Sequence, residues 1–250
     1  KVWGTSLVVT RELANGDEYL DFNVDALSIE EGQLDDRLIN SKDNSAEVIK
    51  SYVEKDKRIK YLKTESPSGS PTKPRNIAIE QAQGRYIAFL DSDDIWLPNK
   101  LEEQLAILSN AANVALVYSN YEKINERGER NNRLIIAPDS VTYNDLLYGC
   151  VIGCLTAIYD THKVGKMYMT DNHQEDYILW LSILKKGYIA QNTNSVLALY
   201  RISENSLSSN KFKVIGWQWN VYRNVEKLGL IQSVRCFISY AIKGFIKAVK

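Results

Sequence analysis

Apolar residues between positions 44 and 120 follow two spacings, and each spacing predicts one type of element. After Asn44, whose side chain suits a helix N-cap, apolar residues recur every three or four positions, which predicts a helix. The segment RNIAIEQAQG predicts a second helix, closed by Gly84. The uninterrupted apolar run YIAFL (Tyr86 to Leu90) predicts a buried strand, and VALVYSN (114–120) predicts another strand. This alternation predicts an α/β domain with a mostly parallel, Rossmann-like central sheet flanked by helices.

Later segments continue this pattern. A helix that presents leucines on one face is predicted to begin near Pro98. NERGER (125–130) predicts a hairpin or loop, residues 177–184 a helix, and VLALYR (196–201) a strand. Within residues 1–43, SLVVT predicts a strand, while the rest is acidic and only weakly periodic. The sequence contains no internal repeat or low-complexity linker, so we expect a single compact unit.

The tail from Ser233 reads SVRCFISYAIKGFIKAVK and predicts an amphipathic helix. Its apolar positions form a stripe at helical spacing: Val234, Phe237, Ile238, Ala241, Ile242, Phe245, Ile246 and Val249. The basic residues of the tail occupy other faces: Arg235, Lys243, Lys247 and Lys250. A basic amphipathic helix can lie in a membrane interface, and it can equally pack on the body of the protein or on a second subunit.

Composition narrows the partners and the compartment. The 31 basic and 31 acidic residues balance, so no overall charge favours nucleic acid as a partner. The three cysteines, Cys150, Cys154 and Cys236, lack the spacing of a disulfide framework or a zinc site. The first residues lack a signal-peptide pattern, and no apolar run reaches the roughly 18 residues of a membrane span. We therefore expect a cytoplasmic protein.

Three carboxylates stand directly after the first buried strand, at Asp91, Asp93 and Asp94. Ligands of open α/β sheets bind beyond the carboxyl ends of the strands. Side chains two positions apart on an extended segment point to the same side, so Asp91 and Asp93 can hold one Mg²⁺ or Mn²⁺. Two alternatives are an acidic cap on the following helix and a calcium loop. The calcium loop fails at Ile95 and Trp96, where an oxygen ligand and the turn glycine should stand.

Longer motifs surround these acids. The segment RNIAIEQAQGRYIAFLDSDDIWLPNKLEEQL contains an arginine–asparagine pair, a DxD motif and a W-x-P-x-K-L helix start. It resembles the central signature of inverting family 2 glycosyltransferases with a GT-A fold. HQEDYILWLSILKKGY (173–188) resembles the family's ED motif and the helix after it, and ALYRISENSLSSNK resembles its late YR segment. Together these motifs cover most of the chain from Asn44 to about residue 210.

The resemblance implies transfer of a sugar from a nucleotide-diphosphate donor, with a UDP-sugar expected, to an acceptor hydroxyl with inversion. Asp91 and Asp93 resemble the pair that holds Mn²⁺ or Mg²⁺ on the donor diphosphate. Arg75 resembles the family arginine near the donor nucleotide, where a guanidinium suits phosphate contacts. Asp176 resembles the catalytic base, which takes the proton of the attacking hydroxyl.

The same resemblance implies an organisation and a cellular setting. Residues 1–100 would form the nucleotide-sugar-binding half of one GT-A domain, residues 101–215 the acceptor-binding half, and residues 216–250 a helical tail. The expected acceptor is a glycan or lipid-linked glycan of the cell envelope. The protein would then work at the inner face of the membrane, which the tail would contact peripherally.

Two positions depart from the family pattern. SKDNSAEV (41–48) fits the family segment that follows an aspartate pair, but residues 38–40 read Leu-Ile-Asn where that pair should stand. Ser203 stands where many relatives have a histidine, and serine is a poor metal ligand. Two other functions therefore stay open. One is a non-catalytic sugar-nucleotide or glycan-binding relative with a degenerate donor site, and the other is a metal-dependent nucleotidyltransferase, which needs no base at Asp176.

Overall fold

A single mixed sheet of eight strands lies at the centre of the described part of the chain. The computed structural model describes residues 7–11, 45–56, 59, 61–62, 70–202 and 211–249. The strands are β1 (Leu7–Arg11), β2 (Tyr86–Leu90), β3 (Ile95–Trp96), β4 (Val114–Ile124), β5 (Arg130–Ile135), β6 (Ser140–Val141), β7 (Ile158–Asp160) and β8 (Ile189–Arg201). They run in the order β1-β2-β7-β4-β8-β3, with β5 beside β4 and β6 beside β8.

Helices connect and cover these strands. They are α1 (Ser45–Lys55), α2 (Thr72–Gln81), α3 (Lys100–Asn110), α4 (Tyr143–Leu147), α5 (Thr161–Val164), α6 (Glu175–Leu184), α7 (Lys211–Asn220) and α8 (Leu230–Val249). A single 3₁₀ turn covers Cys154–Thr156, and a π-helical segment, Val221–Val225, follows α7.

Most predicted elements form at the expected positions. β2 coincides with the run YIAFL, β1 overlaps the run SLVVT and ends one residue after it, and β4 and β8 extend beyond their predicted cores. NERGER forms the hairpin between β4 and β5, where Gly128 takes a φ of 80° that favours glycine. α2 ends earlier than expected because Ala82 is already extended, so Gly84 does not close this helix.

The strand directions correct one feature of the prediction. Of the seven pairings between described strands, only β4 with β8 is parallel, and the other six are antiparallel. The expected mostly parallel sheet is therefore mixed in this part of the chain. An apolar run reports that both faces of a strand are covered, but it carries no information on the direction of the neighbouring strand.

α6 packs against one face of the sheet, and it is buried almost all round. Its buried residues are Tyr177, Ile178, Leu179, Trp180, Leu181, Ile183 and Leu184. The Trp180 ring lies 6.1 Å from the ring of Phe89 in β2, measured between centroids. Removing such a buried indole costs about 3–5 kcal/mol of unfolding free energy, so this packing fixes where the first turn of α6 lies.

A second core fills the opposite face of β2 and holds α3. Leu105 and Leu108 of α3 pack there with Trp96, whose Nε1 donates to the carbonyl oxygen of Leu155 at 2.7 Å. Lys100 begins α3 and is 0% exposed. Its Nζ lies 4.3 Å from the Trp96 ring centroid and donates to Gln104 Oε1 at 2.5 Å. Burial lowers the pKa of Lys100 to about 7.

α8 carries apolar residues on two opposite faces. The inward face buries Ser233 and Cys236 and half-buries Phe237, whose ring packs edge-on against Trp219. The outward face exposes Ile231 (77%), Val234 (41%), Ile238 (53%) and Ile242 (53%), here called the outer stripe. The outer stripe therefore points away from the body of the protein. Among the described residues, no helix is both long and apolar enough to cross a membrane.

Several predicted features lie outside the described residues. These are residues 38–40, Ser203, the N-cap at Asn44, and most of residues 1–43. Ile59, Tyr61 and Leu62 are described but lie in neither a helix nor a strand.

Candidate active site

β2 delivers the three predicted carboxylates to the edge of the sheet. The chain turns directly after Leu90, and the Asp94 amide donates to the Asp91 carbonyl oxygen at 3.0 Å. Asp94 is not free for a ligand, because its Oδ1 accepts the Arg201 amide of β8 at 2.9 Å. Asp91 is also engaged, since its Oδ1 accepts a hydrogen bond from Arg75 Nη2 at 2.6 Å.

Arg201 fixes this acidic turn from the end of β8. Besides its amide contact with Asp94, its Nε donates to the carbonyl oxygen of Asp93 at 2.8 Å. Its Nη1 donates to the carbonyl oxygen of Glu126 at 2.8 Å, in the β4–β5 hairpin. One arginine thus joins the DxD turn to two other parts of the sheet.

The acids of the turn are held close together in a partly buried place. Burial, and then the neighbouring Asp91 carboxylate, raise the pKa of Asp93. Burial and the Asp93 carboxylate raise the pKa of Asp94 well above its ordinary value. The Oγ of Ser92, the residue between Asp91 and Asp93, is buried and has no hydrogen-bond partner among the described residues. A group of neighbouring carboxylates that raise each other's pKa, next to an unpaired hydroxyl, suits a cation and a polar ligand.

Arg75 of α2 links these acids to the ED motif. It is 4% exposed, and its Nη2 lies 2.6 Å from Asp91 Oδ1 while its Nη1 lies 3.3 Å from Glu175 Oε1. Burial opposes the charge, but Asp91 and the other acids more than compensate, and the pKa of Arg75 is raised. α2 is itself anchored by paired contacts between Asn76 and Met169, each 2.8 Å long.

Glu175 and Asp176 form the first turn of α6. Gln174 before them takes a left-handed backbone conformation with φ 69°, which directs the chain into the helix. Burial raises the pKa of Asp176, while Arg75 and the amide of Tyr177 favour its charged form. Burial and then Asp176 raise the pKa of Glu175. The helix N-terminus also favours a negative charge here, so Asp176 can ionise although burial raises its pKa.

The structure therefore gathers four predicted residues: Arg75, Asp91, Asp93 and Asp176. Arg75 and Asp91 are in direct contact, and both lie within electrostatic range of Asp93 and Asp176. Within the described residues, no group of three or more His, Cys, Asp or Glu side chains is arranged to hold a metal ion. A cation on Asp91 and Asp93 would need further oxygen ligands from a bound molecule.

Sequence reasoning missed two residues of the cluster. Cys154 lies within electrostatic range of Arg75, Asp91 and Asp176, and burial raises the pKa of its thiol well above the ordinary value. Arg201 belongs to the quoted YR segment, but nothing in that segment indicates that it anchors the acidic turn. Arg201 ends β8 and Cys154 begins a 3₁₀ turn, so both come from positions distant in the chain, and spacing along the sequence contains no information on such contacts.

Solved structures with the same architecture define the fold. The Staphylococcus aureus TarS 1–349 structure in complex with UDP-GlcNAc matches with a TM-score of 0.59 and 20% identity, over 81% of this chain and 60% of that chain. The mannosyltransferase PcManGT from Pyrobaculum calidifontis, in complex with GDP-Man and Mn²⁺, matches with a TM-score of 0.54 and 14% identity, over 81% of this chain and 57% of that chain. The fold is GT-A, as expected, and the chain spans less than two thirds of these two structures.

Sequence relatives then give the family. The profile described as Glycosyl transferase family 2 matches residues 36–168. Escherichia coli WfgD, named as UDP-Glc:alpha-D-GlcNAc-diphosphoundecaprenol beta-1,3-glucosyltransferase, is 44% identical over 212 residues, covering 83% of this chain and 80% of WfgD. Bacillus subtilis TuaG, named as a teichuronic acid biosynthesis glycosyltransferase, is 40% identical over 202 residues, covering 80% of this chain and 79% of TuaG. The chain belongs to glycosyl transferase family 2, which favours a glycosyltransferase over a nucleotidyltransferase.

Proposed function

We propose that this glycosyltransferase moves a sugar from a UDP-sugar to a lipid-linked glycan during cell-envelope polysaccharide synthesis, with inversion at the anomeric carbon. The observation that carries the proposal is the Arg75 bridge, which places the DxD acid Asp91 and the ED acid Glu175 on one guanidinium. Donor-side and acceptor-side acids thus share one site. The names of WfgD and TuaG support a UDP-sugar donor and an envelope glycan product.

The proposed binding roles belong to consecutive parts of the chain. Residues 1–100 bind the nucleotide sugar, since they contain Arg75 and the DxD turn. Residues 101–215 bind the acceptor, since they contain Asp176. Residues 216–250 form the tail. The acidic turn lies at the end of β2 and the base at the start of α6, so the reacting carbon would sit between the two.

Asp91 and Asp93 would hold Mn²⁺ or Mg²⁺ together with oxygens of the donor diphosphate. Their oxygen chemistry fits a hard divalent cation, and the raised pKa of Asp93 indicates a place where positive charge is favourable. Bound there, the cation would stabilise the negative charge of the leaving diphosphate. Arg75 would serve the donor indirectly, by holding the Asp91 carboxylate in the orientation that the cation requires.

Asp176 would accept the proton of the acceptor hydroxyl as that oxygen attacks the anomeric carbon. A carboxylate does this better when its pKa is raised towards neutrality, and burial raises the pKa of Asp176. Arg75 and the start of α6 keep the ionised form accessible. A single displacement from the face opposite the leaving diphosphate inverts the anomeric configuration.

The outer stripe of α8 would seat the protein on a membrane with anionic lipids. α8 contains no acidic residue, and its exposed Arg235 and Lys243 flank the stripe. Since the inward face already packs on the body, an apolar face directed outward suits a lipid surface. Vesicle flotation tests this, with Ile238→Ser/Ile242→Ser as the variant and Ile136→Ser, another exposed isoleucine, as the control. A concentration-dependent dimer that only the double variant dissolves would assign the stripe to a second copy instead.

Calorimetric titration of UDP and GDP, with and without Mn²⁺, tests the donor site. The proposal expects Mn²⁺-dependent UDP binding that Asp93→Ala abolishes and Glu102→Ala, which removes an exposed acid of α3, leaves unchanged. NMR of the product of UDP-Glc transfer would show the anomeric configuration. Absence of nucleotide binding in the wild type would favour the non-catalytic alternative.

A further inference from the structure

A groove of about 530 Å³ separates α8 from the segment around α4. One wall presents Val141, Tyr148 and Val151, and the α8 wall presents Ser239 and Lys243. Its size is within the range of ligand sites, and its walls combine apolar surface with one exposed cation. This combination suits a molecule that carries an anionic group next to a hydrocarbon chain.

Asp145 also lines the groove but is committed elsewhere. Its Oδ2 accepts the Thr142 amide at 2.9 Å and the Thr142 hydroxyl at 2.6 Å, in the capping box of α4. These hydrogen bonds hold the carboxylate against the helix start. Lys243, on the opposite wall, is close enough to help lower the pKa of the Asp145 carboxyl, and it is the one cation among the described residues that line the groove.

The groove lies close to the proposed base by two routes. Val151 precedes Cys154 by three residues, a span of at most about 10 Å, and Cys154 lies within electrostatic range of Asp176. Tyr177, next to Asp176, donates its hydroxyl to the carbonyl oxygen of Leu146 in α4 at 3.0 Å. These contacts connect the groove wall with the first turn of α6.

The groove also adjoins the outer stripe. Ser239 and Lys243 each follow, by one residue, an exposed isoleucine of the stripe, Ile238 and Ile242. A lipid whose hydrocarbon chain leaves the membrane beside α8 would contact the groove first. Groove and stripe therefore form one continuous surface.

We infer that this groove binds the diphosphate and the first hydrocarbon units of a lipid-linked acceptor, with Lys243 on the diphosphate and Tyr148 and Val151 on the hydrocarbon. The inference rests on the proposed function, since it names the class of acceptor for the same site. It places the acceptor sugar between the groove and Asp176.

Binding of farnesyl diphosphate to the full chain in EDTA tests the groove without requiring catalysis. We expect Lys243→Ala to weaken binding about tenfold, because a charge-assisted contact is lost. The matched control is Arg235→Ala, which removes an exposed cation of α8 outside the groove. Tyr148→Ala should weaken farnesyl diphosphate binding but leave binding of inorganic pyrophosphate unchanged. Thermal unfolding of each variant checks that the fold is intact.

Three outcomes would overturn the inference: no binding by the wild type, equal weakening by Arg235→Ala and Lys243→Ala, and binding that needs Mn²⁺ and is lost in Asp93→Ala. The last would place farnesyl diphosphate in the donor site. Because UDP binding is measured separately on the same proteins, failure of the groove is distinguishable from failure of the proposed function.

Discussion

The candidate active site and α8 depart from the usual distribution of residues in opposite ways. The site buries charge: Arg75 is 4% exposed and lies against two carboxylates. α8 instead exposes large apolar side chains along a helix that already has a packed face. Buried charges and exposed apolar patches are the informative exceptions in a folded protein. From this difference we expect substitutions in the site to alter both stability and activity, and substitutions in the outer stripe to leave the folded state unchanged.

The largest effect is expected from Asp176→Asn. The amide keeps the shape but cannot accept a proton, so sugar transfer should fall about a thousandfold, within the range of general-base contributions. Binding of UDP with Mn²⁺ should stay within about twofold of wild type. Asp171→Asn, an exposed acid of the preceding loop, is the control. Transfer that survives in Asp176→Asn would show that buried charge at this position is structural.

Arg75→Met should affect the folded state directly. It leaves the carboxylates of Asp91 and Glu175 without their shared partner, which costs about 3–5 kcal/mol for a buried pair and less here, since Asp91 is 30% exposed. Urea unfolding measures the loss. Arg75→Lys keeps the charge but not the two-armed geometry, so it should recover part of the stability and little of the UDP affinity. Equal UDP affinity in both variants and wild type would contradict the positioning role.

Lys100→Met should change how stability depends on pH. The pKa of Lys100 is about 7 in the folded protein and near 10.5 in the unfolded chain, so the unfolded state binds more protons between these values. Above pH 10 Lys100 is neutral in both states and does not reduce the free energy of unfolding. As the pH falls towards 7, the unfolded state gains a proton first, and the free energy of unfolding decreases. Between pH 7 and 9 the wild type should gain about 2 kcal/mol relative to Lys100→Met. Parallel stability profiles from chemical unfolding would mean that Lys100 is charged in the folded state.

The smallest effect on folding is expected from the outer stripe. Ile238→Ser/Ile242→Ser should change the free energy of unfolding by less than about 0.5 kcal/mol per site, because both side chains are already half exposed. Differential scanning calorimetry in solution measures this. A loss of 2 kcal/mol or more would show that the stripe is packed on protein, and the contrast with the site would disappear.

The sequence predicted those parts of the molecule that depend on local pattern. The run YIAFL predicted β2 correctly, and the apolar residues after Asp176 predicted α6, because periodicity and burial act along a continuous segment. The strand directions, the Arg201 anchor and the position of Cys154 depend on contacts between distant segments. No spacing of residues reports such contacts, so only the folded structure reveals them.

The position of β2 has a consequence for engineering chimeric enzymes. β2 carries the DxD acids at its end, yet one of its neighbours, β7, comes from the second half of the chain, with Tyr86 paired to Asp160. Arg85 is also joined to Asp160, through Nη2 and Oδ2 at 2.7 Å. Residues 1–100 and residues 101–215 thus contribute neighbouring strands to one sheet. Exchanging residues 1–100 between relatives to alter sugar preference would have to preserve the edge of β7, or the recombined halves would not pair.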